Sequence, residues 1–211
     1  DTVVDIVTTT GTAGTSDYTE TTTTVTIPAG STSVDVNIPI TDDAISESPE
    51  DFTVDGTVTS GNTVNTNPSG TVTITDNDAT PTVSIGDVTV GEGDGTATVP
   101  VSIDVASSVD TVVDIVTTTG TAGTSDYTTT TTTVTIPAGS TSVDVSIPIT
   151  DDATDEPDED FTVGGTVTSG NTSNTNPSGT VTITDNDATP TVSIGDVTVD
   201  EGDGTATVPV S

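Results

Sequence analysis

Apolar and polar residues alternate along most of the chain, with Val, Ile and Ala on one phase and Thr, Ser and Asp on the other. In the clearest stretch, residues 142–150, Val143, Val145, Ile147 and Ile149 share one phase. A period of two residues is typical of a β-strand that buries one face. Within residues 79–187 the pattern predicts seven strands, at 82–90, 96–103, 111–117, 130–136, 142–150, around Phe161–Val167 and around Val181–Ile183.

Two local features qualify this pattern. The apolar phase changes at Gly86-Asp87, after Ile85 and before Val88, which predicts a bulge or a change of sheet within the first strand. Pro100 and Pro148 fall on the outward phase and are expected at edges or bulges, because proline cannot donate a ladder hydrogen bond.

The fold class follows from the strands and the turns between them. Seven short strands with polar connections and no helical period predict an all-β protein, a seven-stranded antiparallel Ig-like β-sandwich. Val134 and Val143 are expected in its core together with the other inward-phase residues. A unit of this length is large enough for one hydrophobic core.

An internal repeat sets the domain organisation. Residues 1–102 match residues 110–211 at a constant offset of 109 with no gap, and only nine positions differ. The Ala-Thr-Pro segments that follow Asp78 and Asp187 interrupt the strand pattern and are predicted linkers. We therefore expect a partial domain at 1–78 that lacks its first two strands, a complete domain at 79–187, and the first two strands of a third domain at 188–211.

Composition excludes several functions. The 211-residue chain carries a formal charge of −34 and has no Lys, Arg, His or Cys. Without basic residues it cannot neutralise phosphates, so we expect no nucleic-acid binding. No run of 18 apolar residues is present, so we expect no membrane insertion. We also expect no enzymatic activity, because the chain lacks His, Cys and Lys and its paired carboxylates face a competing role.

That competing role is metal binding. If successive strands run antiparallel, the connections after the first, third, fifth and seventh strands lie at one end of the sandwich. These connections carry nearly all of the loop carboxylates, including seven within residues 151–160. Clustered carboxylates without cationic partners repel strongly and are typical of Ca²⁺ sites, and they suit Mg²⁺ less well. The predicted ligands of the complete domain are Glu92, Asp126, Asp151, Asp152, Glu156, Glu159, Asp185 and Asp187. The alternative is a solvated acidic face that prevents edge-to-edge aggregation.

The motifs as a set resemble those of Calx-beta domains. They are Val-Ser-Ile-Gly-Asp-Val-Thr-Val-x-Glu-Gly-Asp-Gly, Gly-Thr-Ala-Gly-Thr-Ser-Asp-Tyr, Ile-Pro-Ala-Gly-Ser-Thr, Asp-Asp-x5–6-Glu-Asp-Phe and Gly-Thr-Val-Thr-Ile-Thr-Asp-Asn-Asp. The resemblance to the Ca²⁺-binding domains of sodium/calcium exchangers implies the same ligands, extended by repeat equivalence to Asp17, Asp42, Asp43, Glu47, Glu50, Asp76, Asp78 and Glu201. Asn186 stands where those domains carry a third acid.

Near-identical arrays of this kind resemble the repeat regions of large secreted bacterial adhesins, including gliding-motility adhesins. The resemblance implies an extracellular, cell-surface stalk or filament that Ca²⁺ stiffens and that extends an adhesive tip. Its partners would be neighbouring repeats, joined through Ca²⁺ junctions, and cell-envelope or secretion machinery. The alternatives are a Ca²⁺-sensing regulatory module, as in the exchangers, and a surface-layer or carbohydrate-binding component.

Overall fold

The computed structural model describes residues 1–211 and is built almost entirely of β-strands. Residues 1–78, which we call the first copy, contain five strands: β1 (Thr2–Thr10), β2 (Thr22–Ile27), β3 (Ile45–Ser46), β4 (Glu50–Ser60) and β5 (Ser69–Ile74). We call residues 79–187 the second copy. The second copy contains nine: β6 (Val83–Ile85), β7 (Val88–Gly91), β8 (Thr96–Ile103), β9 (Ala106–Ser107), β10 (Thr111–Thr119), β11 (Thr131–Ile136), β12 (Ser142–Pro148), β13 (Glu159–Ser169) and β14 (Ser178–Thr184). Two 3₁₀ turns lie at Glu92–Asp94 and Glu201–Asp203, and no helix has the length and apolarity to cross a membrane.

The second copy is a two-layer sandwich. Strands β11-β10-β13-β14-β7 form one sheet, and β12-β8-β6 form the other. Nineteen buried apolar residues fill the space between the sheets. At the centre of this core Tyr127 and Phe161 stack with their ring centroids 3.9 Å apart. The all-β fold predicted from the two-residue period is confirmed.

The first predicted strand changes sheet at Gly86, as its phase change indicated. The segment before this glycine, β6, pairs with β8, and the segment after it, β7, pairs with β14. The Gly86 N–H donates to the Pro100 carbonyl at 2.9 Å, and a Cβ at Gly86 would lie 2.8 Å from Pro100 Cγ. Glycine is therefore required for this close approach.

Three details differ from the sequence-based expectation. The β7–β14 pair is parallel, because both strands run toward the same end of the sandwich after the change of sheet. Pro100 lies on β8, the middle strand of its sheet. It faces Gly86, where the neighbouring strand β6 ends and the chain leaves this sheet. Val134 and Val143 are only partly buried, because they pack against the margin of the core rather than inside it.

The first copy contributes one sheet, β2-β1-β4-β5, and residues 31–39 lie outside any strand. Its small core is formed around Tyr18 and Phe52, which stack as their equivalents do. The two copies meet where β3 of the first pairs in parallel with β9 of the second. The domain limits proposed at 78/79 and 187/188 stay predictions.

Candidate metal-binding pole

Carboxylates from different connections meet at one end of the second-copy sandwich, which we call the acidic pole. It is formed by the 3₁₀ turn after β7, the turn before Tyr127, the loop 150–158 and the segment 185–187. One group joins Glu92, Asp152 and Asp187, each of which offers an oxygen within 4.8 Å of the others. Glu92 is only 6% exposed, and its Oε1 accepts the Asp152 N–H at 2.9 Å. The acidic loop is thus tied to the turn after the first strand.

A second group at the same pole joins Asp126, Glu156 and Glu159, again with oxygens within 4.8 Å. Asp126 is fixed by its own turn, because its Oδ2 accepts the Gly123 N–H at 2.6 Å. Glu159 is the first residue of β13, so the sheet ladder fixes its backbone. Glu156 is the member supplied by the acidic loop. Two elements of the fold therefore hold fixed ligands, and the loop between them supplies the third.

The first copy repeats the second of these groups. Asp17, Glu47 and Glu50 offer oxygens within 4.8 Å of one another, and Asp17 is 8% exposed. The cleft around this group has a volume of about 290 Å³, whereas that around the second group of the second copy has about 10 Å³. Glu92 lines the smaller cleft and has no counterpart in the larger one.

The remaining predicted residues surround these groups without joining them. Asp185 lines the second-copy cleft, and Asp42, Asp43, Asp76 and Asp78 line the first-copy cleft. Asp151 accepts a hydrogen bond at 3.0 Å from the side-chain amide of Asn186. Glu201 is exposed and lies in none of the three groups.

Three contacts of the pole carry no clear signal in the sequence. The side-chain amide of Asn186 donates a hydrogen bond to Asp151, and it lies so close to Gly93 that a Cβ there would be 2.6 Å from Asn186 Nδ2. Asp155 accepts a hydrogen bond from the hydroxyl of Thr189, which lies in the linker, at 3.3 Å. The backbone contact between Glu92 and Asp152 spans 60 residues. Residue type alone could have suggested Asn186 as a donor, but only the fold brings these pairs together.

The pole contains buried oxygens with no donor. Asp185 Oδ1 and Asp187 Oδ2 are inaccessible to solvent and accept no hydrogen bond from the protein. Such atoms are costly unless a donor or a cation satisfies them. Because the chain has no Lys, Arg or His, a side-chain cation cannot do so. A hard divalent cation bound by carboxylate oxygens fits these atoms.

Most perturbed carboxyl groups of the acidic pole and of the equivalent cleft in the first copy have raised pKa values. Loss of hydration is the largest cause, and repulsion from neighbouring carboxylates adds to it, for Glu47, Glu50, Asp78, Glu156, Glu159 and Asp187. Glu159 also shares a hydrogen bond with Asp126, which raises its pKa further. Burial alone would raise the pKa of Asp126, but hydrogen bonds from Gly123, Ser125 and Glu159 outweigh it and lower that pKa.

The sign of these shifts predicts an unusual pH dependence for the metal-free chain. A carboxyl group with a raised pKa binds more protons in the folded state, so it stabilises the fold at low pH and loses this effect as the pH rises through the raised pKa. The ordinary values are 4.5 for Glu and 3.8 for Asp. We expect the melting temperature in excess chelator to increase as the pH falls from neutral to about 4.5.

Below that pH, the lowered pKa values of Asp55 and Asp126 act in the opposite sense, and the gain should end. Circular dichroism melts at a series of pH values measure the effect. A melting temperature that decreases steadily from pH 7 downward would contradict it.

Comparison with known proteins finds one family and several solved structures. The Calx-beta domain matches residues 1–80 and 76–188. The crystal structure of the apo form of the Calx CBD1 domain is 22% identical with a TM-score of 0.44, over 52% of this chain and 100% of that one. The crystal structure of CBD12 from CALX1.2 is 19% identical with a TM-score of 0.41, over 78% of this chain and 66% of that one. No curated protein sequence matches. The two family matches together span most of the sequence, and the chain belongs to the Calx-beta domain family.

Proposed function

We propose that the chain binds Ca²⁺ at its acidic poles and that it is a stalk segment in which the bound ions stiffen the connection from one repeat to the next. The observation that carries the proposal is the set of three carboxylate groups, each with three oxygens within 4.8 Å, in a chain without a basic side chain. Ca²⁺ takes six to eight oxygen ligands and tolerates irregular geometry, so neighbouring carbonyls and water would complete each shell.

The position of the pole supports a mechanical role. Asp185 and Asp187 carry the unpartnered buried oxygens, and the linker Ala188-Thr189-Pro190 follows them directly. An ion held by these carboxylates would fix the last residues of a repeat to its acidic loop, and so fix the direction in which the chain leaves. Pro190 reduces the freedom of the linker further.

The repeat itself supports a stalk more than a regulatory module. Residues 1–102 and 110–211 differ at only nine positions and therefore present nearly the same sites, whereas a sensor benefits from sites of distinct affinity. We further propose that this segment belongs to a long adhesin at the bacterial cell surface, where many repeats give reach. Cell-envelope or secretion machinery and the neighbouring repeats are its proposed partners.

Calcium should stabilise the fold, because an ion that binds only the folded state shifts the equilibrium by mass action. At free Ca²⁺ of about 100 times the dissociation constant, one site contributes about 2.7 kcal/mol. The double variant Glu156→Gln with Glu159→Gln should melt at a higher temperature than the parent in chelator, since repulsion is relieved. It should gain less from Ca²⁺, since ligands are lost. Calorimetric melts with and without Ca²⁺ measure both effects.

Asp144→Asn is the matched control, because this exposed carboxylate lies on β12 opposite Pro100 and belongs to none of the three groups. It should leave the Ca²⁺-induced shift unchanged. A parent protein whose melting curve is the same in Ca²⁺ and in excess chelator would refute the proposed ion binding.

Stiffening can be measured across the linker that leaves the second copy. The chain has no Cys, so Val116→Cys and Val192→Cys, both exposed, provide two unique sites for spin labels. Pulsed dipolar spectroscopy should give a narrower distance distribution in Ca²⁺ than in chelator, because the ion holds residues 185–187 against the acidic loop. Asp185→Asn with Asp187→Asn should remove the narrowing. Equal widths in both conditions would contradict the mechanical role even if Ca²⁺ binds.

A further inference from the structure

The contact between the two copies contains a short strand pair that is independent of the carboxylate groups. β3 and β9 pair in parallel, with Ile45 opposite Ala106 and Ser46 opposite Ser107. The Ser108 N–H donates to the Ser46 carbonyl at 3.0 Å, and the side-chain amide of Asn171 lies 3.3 Å from Ser46 Oγ. Backbone hydrogen bonds thus cross from the acidic loop of one copy to the opposite end of the next.

This junction is closely packed at its centre. Ser46 is 2% exposed and Ser107 is 1% exposed, although both lie in loops at the ends of their sandwiches. The Ser107 carbonyl also accepts the Gly139 N–H at 2.9 Å, so β9 is held by its own domain. The first copy therefore docks onto a surface that the second copy has already ordered.

The linker of this junction is held separately. The Ser173 N–H donates to the Pro81 carbonyl at 2.8 Å, and its hydroxyl lies 2.8 Å from Thr82 Oγ1. Asn174 accepts the Val83 N–H and donates to the Val83 carbonyl, each at 2.7 Å. The first strand of the second copy is consequently fixed to the loop 170–179 at the point where the linker ends.

The sequence differences between the copies fall on these same positions. Ile45 and Ser46 are replaced in the second copy by Thr154 and Asp155. Ser173 is replaced in the first copy by Val64, whose side chain is fully exposed and has no hydroxyl. Five of the nine differences therefore concern this junction when the neighbouring loop positions Ser48 and Pro49 are included.

An aspartate is incompatible with the position of Ser46. A carboxylate there would lose its hydration, because Ser46 is 2% exposed, and the side-chain amide of Asn171 is the donor that meets the Ser46 side chain. Asp155 instead points to the linker, where it accepts a hydrogen bond from Thr189. The two acidic loops are thus built for different connections.

We propose that residues 45–46 and their equivalents determine the kind of junction that follows each repeat. Ile-Ser forms a strand pair with the next copy and makes a junction that is rigid without any ion. Thr-Asp cannot form that pair and leaves a junction whose rigidity comes from the acidic pole alone. The partner surface is the Ala106–Ser107 edge of a second copy of the same domain. The rigidity of the Ile-Ser junction does not depend on Ca²⁺ binding, whereas that of the Thr-Asp junction rests on the proposed function.

The test exchanges the two dipeptides within the full chain. Spin labels at Val7→Cys and Val116→Cys, which are equivalent exposed positions on β1 and β10, report the relative orientation of the copies. In chelator the parent should give one narrow distance distribution. Ile45→Thr with Ser46→Asp should broaden it about two-fold or more, since domains without a substantial interface move freely. The reverse exchange, Thr154→Ile with Asp155→Ser, is the control and should leave it narrow.

Hydrogen exchange provides a second readout. The Ser108 amide should be protected in the parent and in the control, and should lose protection in the Ile45→Thr, Ser46→Asp variant, because its acceptor is the Ser46 carbonyl. The variant residues occur naturally in the equivalent loop, so the fold of each copy should persist, as circular dichroism will show. A broad parent distribution in chelator, a variant as narrow as the parent, or equal broadening in the control would each overturn the proposal.

Discussion

Repulsion between carboxylates is the interaction on which the rest of this structure depends. The chain carries 34 acidic residues and no basic side chain, so no acidic group can form a salt bridge with another side chain. The fold nevertheless gathers acids into groups whose oxygens lie within 4.8 Å, and buries one oxygen each of Asp185 and Asp187 without a donor. Such an arrangement is stable when protons or bound cations reduce its charge. The raised pKa values of Glu156 and Asp187 mean that these carboxyl groups bind protons more readily than usual. We propose that bound Ca²⁺ reduces the charge of the same groups.

The topology of the sandwich is what brings these carboxylates together. Antiparallel succession brings alternate connections to the same end, and the change of sheet at Gly86 adds Glu92 to that end by placing β7 beside β14. The stacked rings of Tyr127 and Phe161 then anchor the turn that carries Asp126 and the strand that begins at Glu159. Core packing, which is insensitive to charge, thereby fixes these carboxylates in place. Most of the proposed ion site is thus preorganised, and the loop 150–158 is the part left to adapt.

The sequence predicts the fold well because the two-residue period is a local property. Strands β8 and β11 were placed to within one residue, and the phase change at Gly86-Asp87 identified the change of sheet. The parity of the connections also predicted which acids share an end. Parity does not show which of the neighbouring acids Asp151 and Asp152 meets Glu92. In the structure Asp152 contacts Glu92, and Asp151 instead accepts a hydrogen bond from the Asn186 amide.

The contact between copies was beyond the reach of sequence reasoning. β3 is two residues long and lies in a loop that is mostly acidic and polar, so Ile45 and Ser46 give no strand signal. Their importance appears only when the neighbouring copy covers them. The differences between the repeats then acquire a physical meaning, because we propose that the few residues at the ends of near-identical domains determine how the domains are joined.

The most direct test of the central claim is a count of ions on the intact chain. Native mass spectrometry after equilibration in Ca²⁺, with Mg²⁺ in excess as a competitor, should show at least one Ca²⁺ for each of the three carboxylate groups. The ions should be lost when the pH falls to the ordinary pKa of Glu, 4.5. A chain that binds no Ca²⁺ before the pH is lowered would show that protons and solvent alone balance the charge, and would contradict the account.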